Sequence, residues 1–187
     1  MAIIKGKKTP NEKYPFTTRE MEVAIANYYN TRTNILVPNV SWGLFNYEMD
    51  IVVMTPAGYL TEIEIKISRA DLKKDLEKRH GHNSTRIKSL YFAIPEKLKH
   101  CIDLIPERAG IYVAKYRKLS GIHYHYEQIK APAGLFRYEI EEIRKPIINK
   151  NAPALDLADK LQFYRLGALR IWDLKRTVNK LIMEKKK

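Results

Sequence analysis

The chain has one cysteine in 187 residues, Cys101. A single thiol excludes an intramolecular disulfide and any zinc site built from several cysteines. It fits a reducing cytoplasm. Long apolar runs are also missing. The longest are only a few residues, such as Ile51-Val52-Val53-Met54, whereas a membrane-spanning helix needs ~20. The opening Met1-Ala2-Ile3-Ile4-Lys5 is far short of a secretory apolar segment. Acidic residues are scarce, with 21 Asp and Glu against 34 Lys and Arg, a net charge of +13. Such a surplus points to a polyanionic partner. Nucleic acid is favoured over an anionic membrane, because no basic amphipathic helix with an aromatic-rich face stands out. The hydrophobic share, 45%, excludes a disordered polycation. The length suits one domain, with room for an appendage.

Periodicity then orders the chain. Residues 1–16 read as a basic lead-in. Thr17 and Glu20 form a capping-box pattern that starts a helix, with Met21, Ala24, Ile25 and Tyr28 on one apolar stripe. Residues 34–37 read as a short strand ended by Pro38. Residues 50–54 and 60–67 flank Thr55-Pro56-Ala57-Gly58 and read as a hairpin. Ser68 caps a helix that runs to about Arg79, and 80–84 is a loop. Strands follow at 87–94 and 110–116, with a short helix at 96–104. This order predicts an α/β domain with a mixed central sheet flanked by helices. Beyond it, 123–128 alternates like an extra strand. Pro132, Gly134, Pro146 and Pro153 break the next stretch into loops. A helix from Leu155 to about Met183 carries Leu161, Leu166, Leu169, Trp172 and Leu181, with Trp172 read as core. The division is a lead-in at 1–16, a core at 17–130 and a loop plus C-terminal helical extension at 131–187.

Chemistry concentrates in Glu62-Ile63-Glu64-Ile65-Lys66-Ile67. Side chains alternate along a strand, so Glu62, Glu64 and Lys66 share one face. If that face is covered, its charges must be paired or must bind something. Asp50 opens the preceding strand, and thirteen residues separate it from Glu64. A five-residue turn sets the two directly opposite; a four-residue turn offsets them by one unless a bulge intervenes. If they meet, the pair is a hard oxygen set suited to Mg²⁺, with Lys66 placed to contact the same water or phosphate. That set meets the needs of phosphodiester hydrolysis. A solvated hairpin face is the alternative.

Asp50 and Glu64-Ile65-Lys66 on a hairpin, behind an acidic helix, resemble the PD-(D/E)xK nuclease superfamily. Met49 stands where the motif name has proline. Lys66-Ile67-Ser68-Arg69-Ala70-Asp71-Leu72, with Lys74-Asp75 after it, is similar to the MmcB-like DNA-repair and phage-encoded branch. So are Tyr91-Phe92-Ala93-Ile94-Pro95-Glu96 and Pro106-Glu107-Arg108-Ala109-Gly110-Ile111. The resemblance spans about residues 17–116. It implies a restriction-endonuclease-like core and an Mg²⁺- or Mn²⁺-dependent DNA endonuclease leaving 5′-phosphates. Asp50, Glu64 and the Ile65 carbonyl then hold the metal, and Lys66 orients or activates the water. It also implies a carboxylate from the first helix, Glu22 in preference to Glu20, which already serves the cap. DNA is preferred to RNA as partner. Many nucleases of this fold act on duplexes as dimers, so a homodimer is a second expectation. The runner-up is a non-catalytic nucleic-acid-binding module on the same fold.

Arg69, Lys73, Lys74, Lys78 and Arg79 follow the catalytic strand and are read as phosphate contacts lining a groove; local pairing with Asp71, Asp75 and Glu77 is the alternative. His80 and His82 flank a glycine, and with no third soft ligand nearby they are read as a polar loop. His123 and His125 are read as an exposed edge, Cys101 as a buried small residue, and Trp42, Phe45 and Tyr47 as loop packing.

Overall fold

The structure is a computed structural model and describes residues 17–40, 44–78, 81–118, 129–131 and 134–184. The basic lead-in, Trp42, Arg79, His80 and the segment 123–128 lie outside these residues. Three α-helices are described, α1 (Thr18–Tyr28), α2 (Arg69–Leu76) and α3 (Leu157–Glu184), with a 3₁₀ segment at Glu96–Leu104. The strands are β1 (Ile35–Val40), β2 (Met49–Met54), β3 (Leu60–Ile65), β4 (Ile87–Pro95), β5 (Gly110–Lys118), β6 (Ile129–Ala131) and β7 (Gly134–Arg144).

The strands form one sheet in the order β1-β2-β3-β4-β5-β7-β6. β3, β4 and β5 run parallel, and the outer pairs are antiparallel, so the sheet is mixed and the fold is α/β. Local signals explain the starts of the helices. Thr17 and Glu20 close the capping box ahead of α1, with bonds of 2.7 and 3.3 Å. Ser68 Oγ accepts the Asp71 N–H at 3.1 Å, and Asp156 Oδ1 accepts the Asp159 N–H at 2.8 Å. Each removes one orphan donor from a helix N-terminus.

The two sheet faces are covered differently. Met21 and Ile25 of α1 pack on Ile51, Val53, Ile63 and Ile65. The opposite face carries two apolar clusters. Phe163 of α3 and Leu155 cover Val37, Val52, Met54 and Leu60. Leu72 of α2, with Leu98 and Cys101 of the 3₁₀ segment, covers Phe92, Ile94 and Ile111. Glu62 and Glu64 face the seam between these clusters, because Glu62 pairs in register with Val52 on one side and Leu90 on the other.

Several expectations need correction. β1 runs through Pro38, which a strand tolerates at a sheet edge. The stretch read as loops contains the eleven-residue β7, paired along β5. Its residues Glu139, Ile140, Glu141, Glu142 and Ile143 do not alternate cleanly, so the period-2 signal is faint. The sheet therefore continues past residue 130, and the core does not end there. Trp172 is 57% exposed, not core. α3 docks by its first half alone, and every residue from Ile171 to Glu184 is exposed. Periodicity identifies a helix face, but it does not say how far the body extends beneath it.

Two glycine substitutions separate helix propensity from packing. A methyl at Gly167 would meet Val37 Cγ2 at 3.4 Å, an ordinary contact. Gly167→Ala is expected to stabilise the chain by roughly 0.5–1 kcal/mol. A methyl at Gly110 would collide with the Tyr91 ring and crowd the Arg144 carbonyl oxygen at 3.0 Å. That ring is stacked on Tyr112 at 4.1 Å and its hydroxyl donates to Glu142 Oε1 at 2.7 Å, so it cannot yield freely. Gly110→Ala is expected to cost about 1–3 kcal/mol. Urea unfolding of both variants checks the opposite signs.

Candidate active site

The hairpin register is fixed by its turn. Thr55 N–H donates to Tyr59 at 3.0 Å and Gly58 N–H to Thr55 at 2.8 Å, enclosing five residues between Met54 and Leu60. Gly58 has φ +89°, a conformation that favours glycine. With Met54 opposite Leu60 and Val52 opposite Glu62, the register carries Asp50 to the level of Glu64. Asp50 Oδ2 accepts the Ile65 N–H at 2.7 Å, which ties its carboxylate to β3. This is the five-residue alternative left open by the sequence.

Glu62, Glu64 and Lys66 are 0%, 1% and 6% exposed, so their shared face is covered rather than solvated. Their partners come from the loop before β2, from α2 and from the loop after α2. Lys66 Nζ lies 2.7 Å from Glu64 Oε2 and 2.6 Å from Asp75 Oδ1. Lys78 Nζ reaches the same two oxygens at 3.3 and 2.9 Å. His82 Nδ1 is 2.7 Å from Glu62 Oε1, and its Nε2 is 2.9 Å from Asp75 Oδ2. Tyr47 donates to Glu62 Oε2 at 2.8 Å. The network runs Tyr47, Glu62, His82, Asp75, Lys66, Glu64.

The titration shifts follow this geometry. Burial raises Asp50, and the negative charge of Glu64 raises it further, while the Ile65 N–H, Lys66 and Lys78 partly offset both. Burial also raises Glu62 against the bonds from His82 and Tyr47. At Asp75 burial pushes upward, but bonds from His82, Lys66 and Lys78 hold the carboxyl far below its usual range. Burial pushes His82 down, yet the bonds to Asp75 and Glu62 prevail and lift it to about 9. The imidazole is therefore a cation at neutral pH, donating from both nitrogens.

Among the sequence-predicted residues, Asp50, Glu64 and Lys66 are brought together, and Ile65 lies between the last two with its N–H on Asp50. Lys78 points inward to Glu64 and Asp75, so it is an internal ion pair rather than a free phosphate contact. Arg69, Lys73 and Lys74 are exposed on α2. Glu22 is not part of the network. α1 packs on the opposite sheet face, and Glu22 lines a separate cleft with Arg19, Leu36, Arg170 and Leu174. Burial raises its carboxyl, with Arg19 opposing. Glu20 serves the cap and accepts from Tyr116 at 3.1 Å. His82, Asp75 and Tyr47 were missed as site residues. Asp75 read as a helix-surface charge and His82 as a loop residue, but both are buried. The available signal was the covered face of β3, whose charges required partners from somewhere.

No protein-family model matches the chain, and no curated protein matches it. A solved structure of a protein of unknown function from Silicibacter pomeroyi is similar, with a TM-score of 0.57 at 15% identity, covering 88% of this chain and 93% of that one. At that identity the likeness shows the α/β fold. No described helix is long and apolar enough to cross a membrane.

The network gives folding stability a pH signature. His82 is raised in the folded state, so its stabilisation is complete below about 6.5 and is lost as pH rises through about 9. Asp75 is depressed, so its contribution is present above its ordinary value of 3.8 and is lost as pH falls further. The urea midpoint is expected to fall between pH 6.5 and 9 in the wild type. In His82→Asn the fall over that interval should flatten.

Proposed function

We propose that this chain is a metal-dependent nuclease that hydrolyses DNA phosphodiester bonds. The observation that carries the reading is the meeting of Asp50, Glu64 and Lys66 at adjoining positions of one hairpin, with Asp50 tied to the Ile65 N–H. Two carboxylates close enough for Glu64 to raise Asp50 form a hard oxygen donor set that Mg²⁺ or Mn²⁺ suits. Glu64 Oε1 adds a buried acceptor with no hydrogen-bond partner. Asp50 and Glu64 would hold the ion, which supplies charge for a phosphate oxygen and a more acidic bound water.

The remaining chemistry belongs to the chain. Water attacks phosphorus in line, the P–O3′ bond breaks, and the leaving oxygen takes a proton while the attacking water loses one. Lys66, held against Glu64 and Asp75, balances the negative charge gathering on phosphorus. Asp50 and Lys78 are only partly buried and form the solvent-facing edge of the cluster. Arg69, Lys73 and Lys74 stand exposed on the helix that supplies Asp75, where they would contact the phosphate backbone. A second reading, a non-catalytic DNA-binding module, draws support from the pairing of Lys66 with carboxylates inside the protein.

Incubation with single-stranded, duplex and branched DNA separates the two. Cutting that needs Mg²⁺ or Mn²⁺, stops with chelator and drops by about 10²-fold in Asp50→Asn and Lys66→Met supports the nuclease. Cutting retained by either folded variant refutes the mechanism. Salt-sensitive binding without cutting in any metal identifies the binding module.

A further inference from the structure

The nuclease reading makes no use of His82, yet its imidazole lies at the centre of the network. Glu62, Glu64 and His82 each offer one ligand atom, and these atoms all lie within 4.8 Å of one another. The second polar atom of each residue is engaged outside that centre. Glu62 Oε2 accepts from Tyr47 at 2.8 Å, Glu64 Oε2 accepts from Lys66 at 2.7 Å, and His82 Nε2 meets Asp75 Oδ2 at 2.9 Å. Glu64 Oε1 remains, buried and accepting no hydrogen bond, 3.9 Å from His82 Nδ1. All three residues are buried.

We propose that Glu62, Glu64 and His82 form a binding site for a divalent transition-metal ion, with Zn²⁺ the best fit. Imidazole nitrogen and carboxylate oxygen are both zinc ligands, and three protein ligands leave a fourth position open. Mg²⁺ prefers oxygen donors alone and keeps its waters. The His82–Asp75 contact is the outer carboxylate that a metal-bound imidazole needs to fix its tautomer. Tyr47 and Lys66 orient the two carboxylates in the same manner. Tetrahedral bonds of about 2.0–2.1 Å place neighbouring donors roughly 3.3 Å apart. The present separations from His82 Nδ1, 2.7 Å to Glu62 Oε1 and 3.9 Å to Glu64 Oε1, bracket that spacing. The ion takes the place of the Nδ1 proton, which leaves to solvent. A cleft of about 210 Å³ lined by His82, Asn83, Ser84 and Thr85 borders the imidazole side of the site.

The site shares Glu64 with the proposed nuclease centre but not Asp50, and it stands whether or not the chain cuts DNA. Calorimetric titration of the full chain with Zn²⁺, in Mg²⁺ excess, is expected to show one ion per chain. His82→Asn and Glu62→Gln should each weaken it by at least about tenfold. Asp50→Asn should leave it within about threefold. Nitrogen NMR of the wild-type imidazoles needs no variant, and Zn²⁺ should shift the Nδ1 of His82 while its Nε2 stays protonated. Absence of stoichiometric uptake overturns the proposal. So does uptake indifferent to both His82→Asn and Glu62→Gln, or a metal shift at a different histidine. Stoichiometric uptake by a wild-type chain that cuts no DNA in any metal refutes only the nuclease.

Discussion

Taking a carboxylate out of water costs several kcal/mol unless partners replace its hydration. Glu62, Glu64 and Asp75 are all buried on one side of the sheet. Lys66, Lys78 and His82 answer them at 2.6 to 3.3 Å. Three anions face three cations, with Asp50 at the margin. That balance constrains much of what surrounds it. α2 must lie where Asp75 reaches Lys66, and its exit must place Lys78 on the same pair. The loop after it carries His82 at φ +56°, a costly conformation for a residue with a Cβ. The bonds to Glu62 and Asp75 offset that cost.

The network also explains why the sheet face is divided. Leu60 and Phe163 close one side of it, and Phe92 and Leu72 close the other. The ion pairs therefore sit between two dry clusters, where a lost partner leaves an uncompensated charge rather than a solvated one. The same enclosure keeps Glu62 and Glu64 from water, and among the described residues Asp50 and Lys78 are the partly exposed charges at its edge.

Much of the fold was legible because its signals are local. The caps at Thr17 and Ser68, the hairpin turn and the β4 and β5 strands each follow from a few adjacent residues. β7 was missed because Glu139, Glu141 and Glu142 blur its alternation. The face shared by Glu62, Glu64 and Lys66 was also legible, and so was the alternative register that brings Asp50 to it. What filled the opposite wall was not. Asp75 and His82 have ordinary surface spellings, and only the crossover from β3 to β4 turns them inward. Glu22 failed for the converse reason. Its position on α1 was read correctly, but no local signal says which sheet face a helix covers.

Tyr47, Asp50, Glu62, Glu64, Lys66, Asp75, Lys78 and His82 fall within thirty-six consecutive residues. The site is thus written as one cassette, closed by a hairpin turn and one short crossover. The loop-closure entropy charged to it is small, because every link is short. Distant insertions leave its spelling whole. A single residue added or removed between Met54 and Leu60 does not, since it would turn Glu62 and Glu64 to the α1 side of the sheet and put Ile63 among the cations.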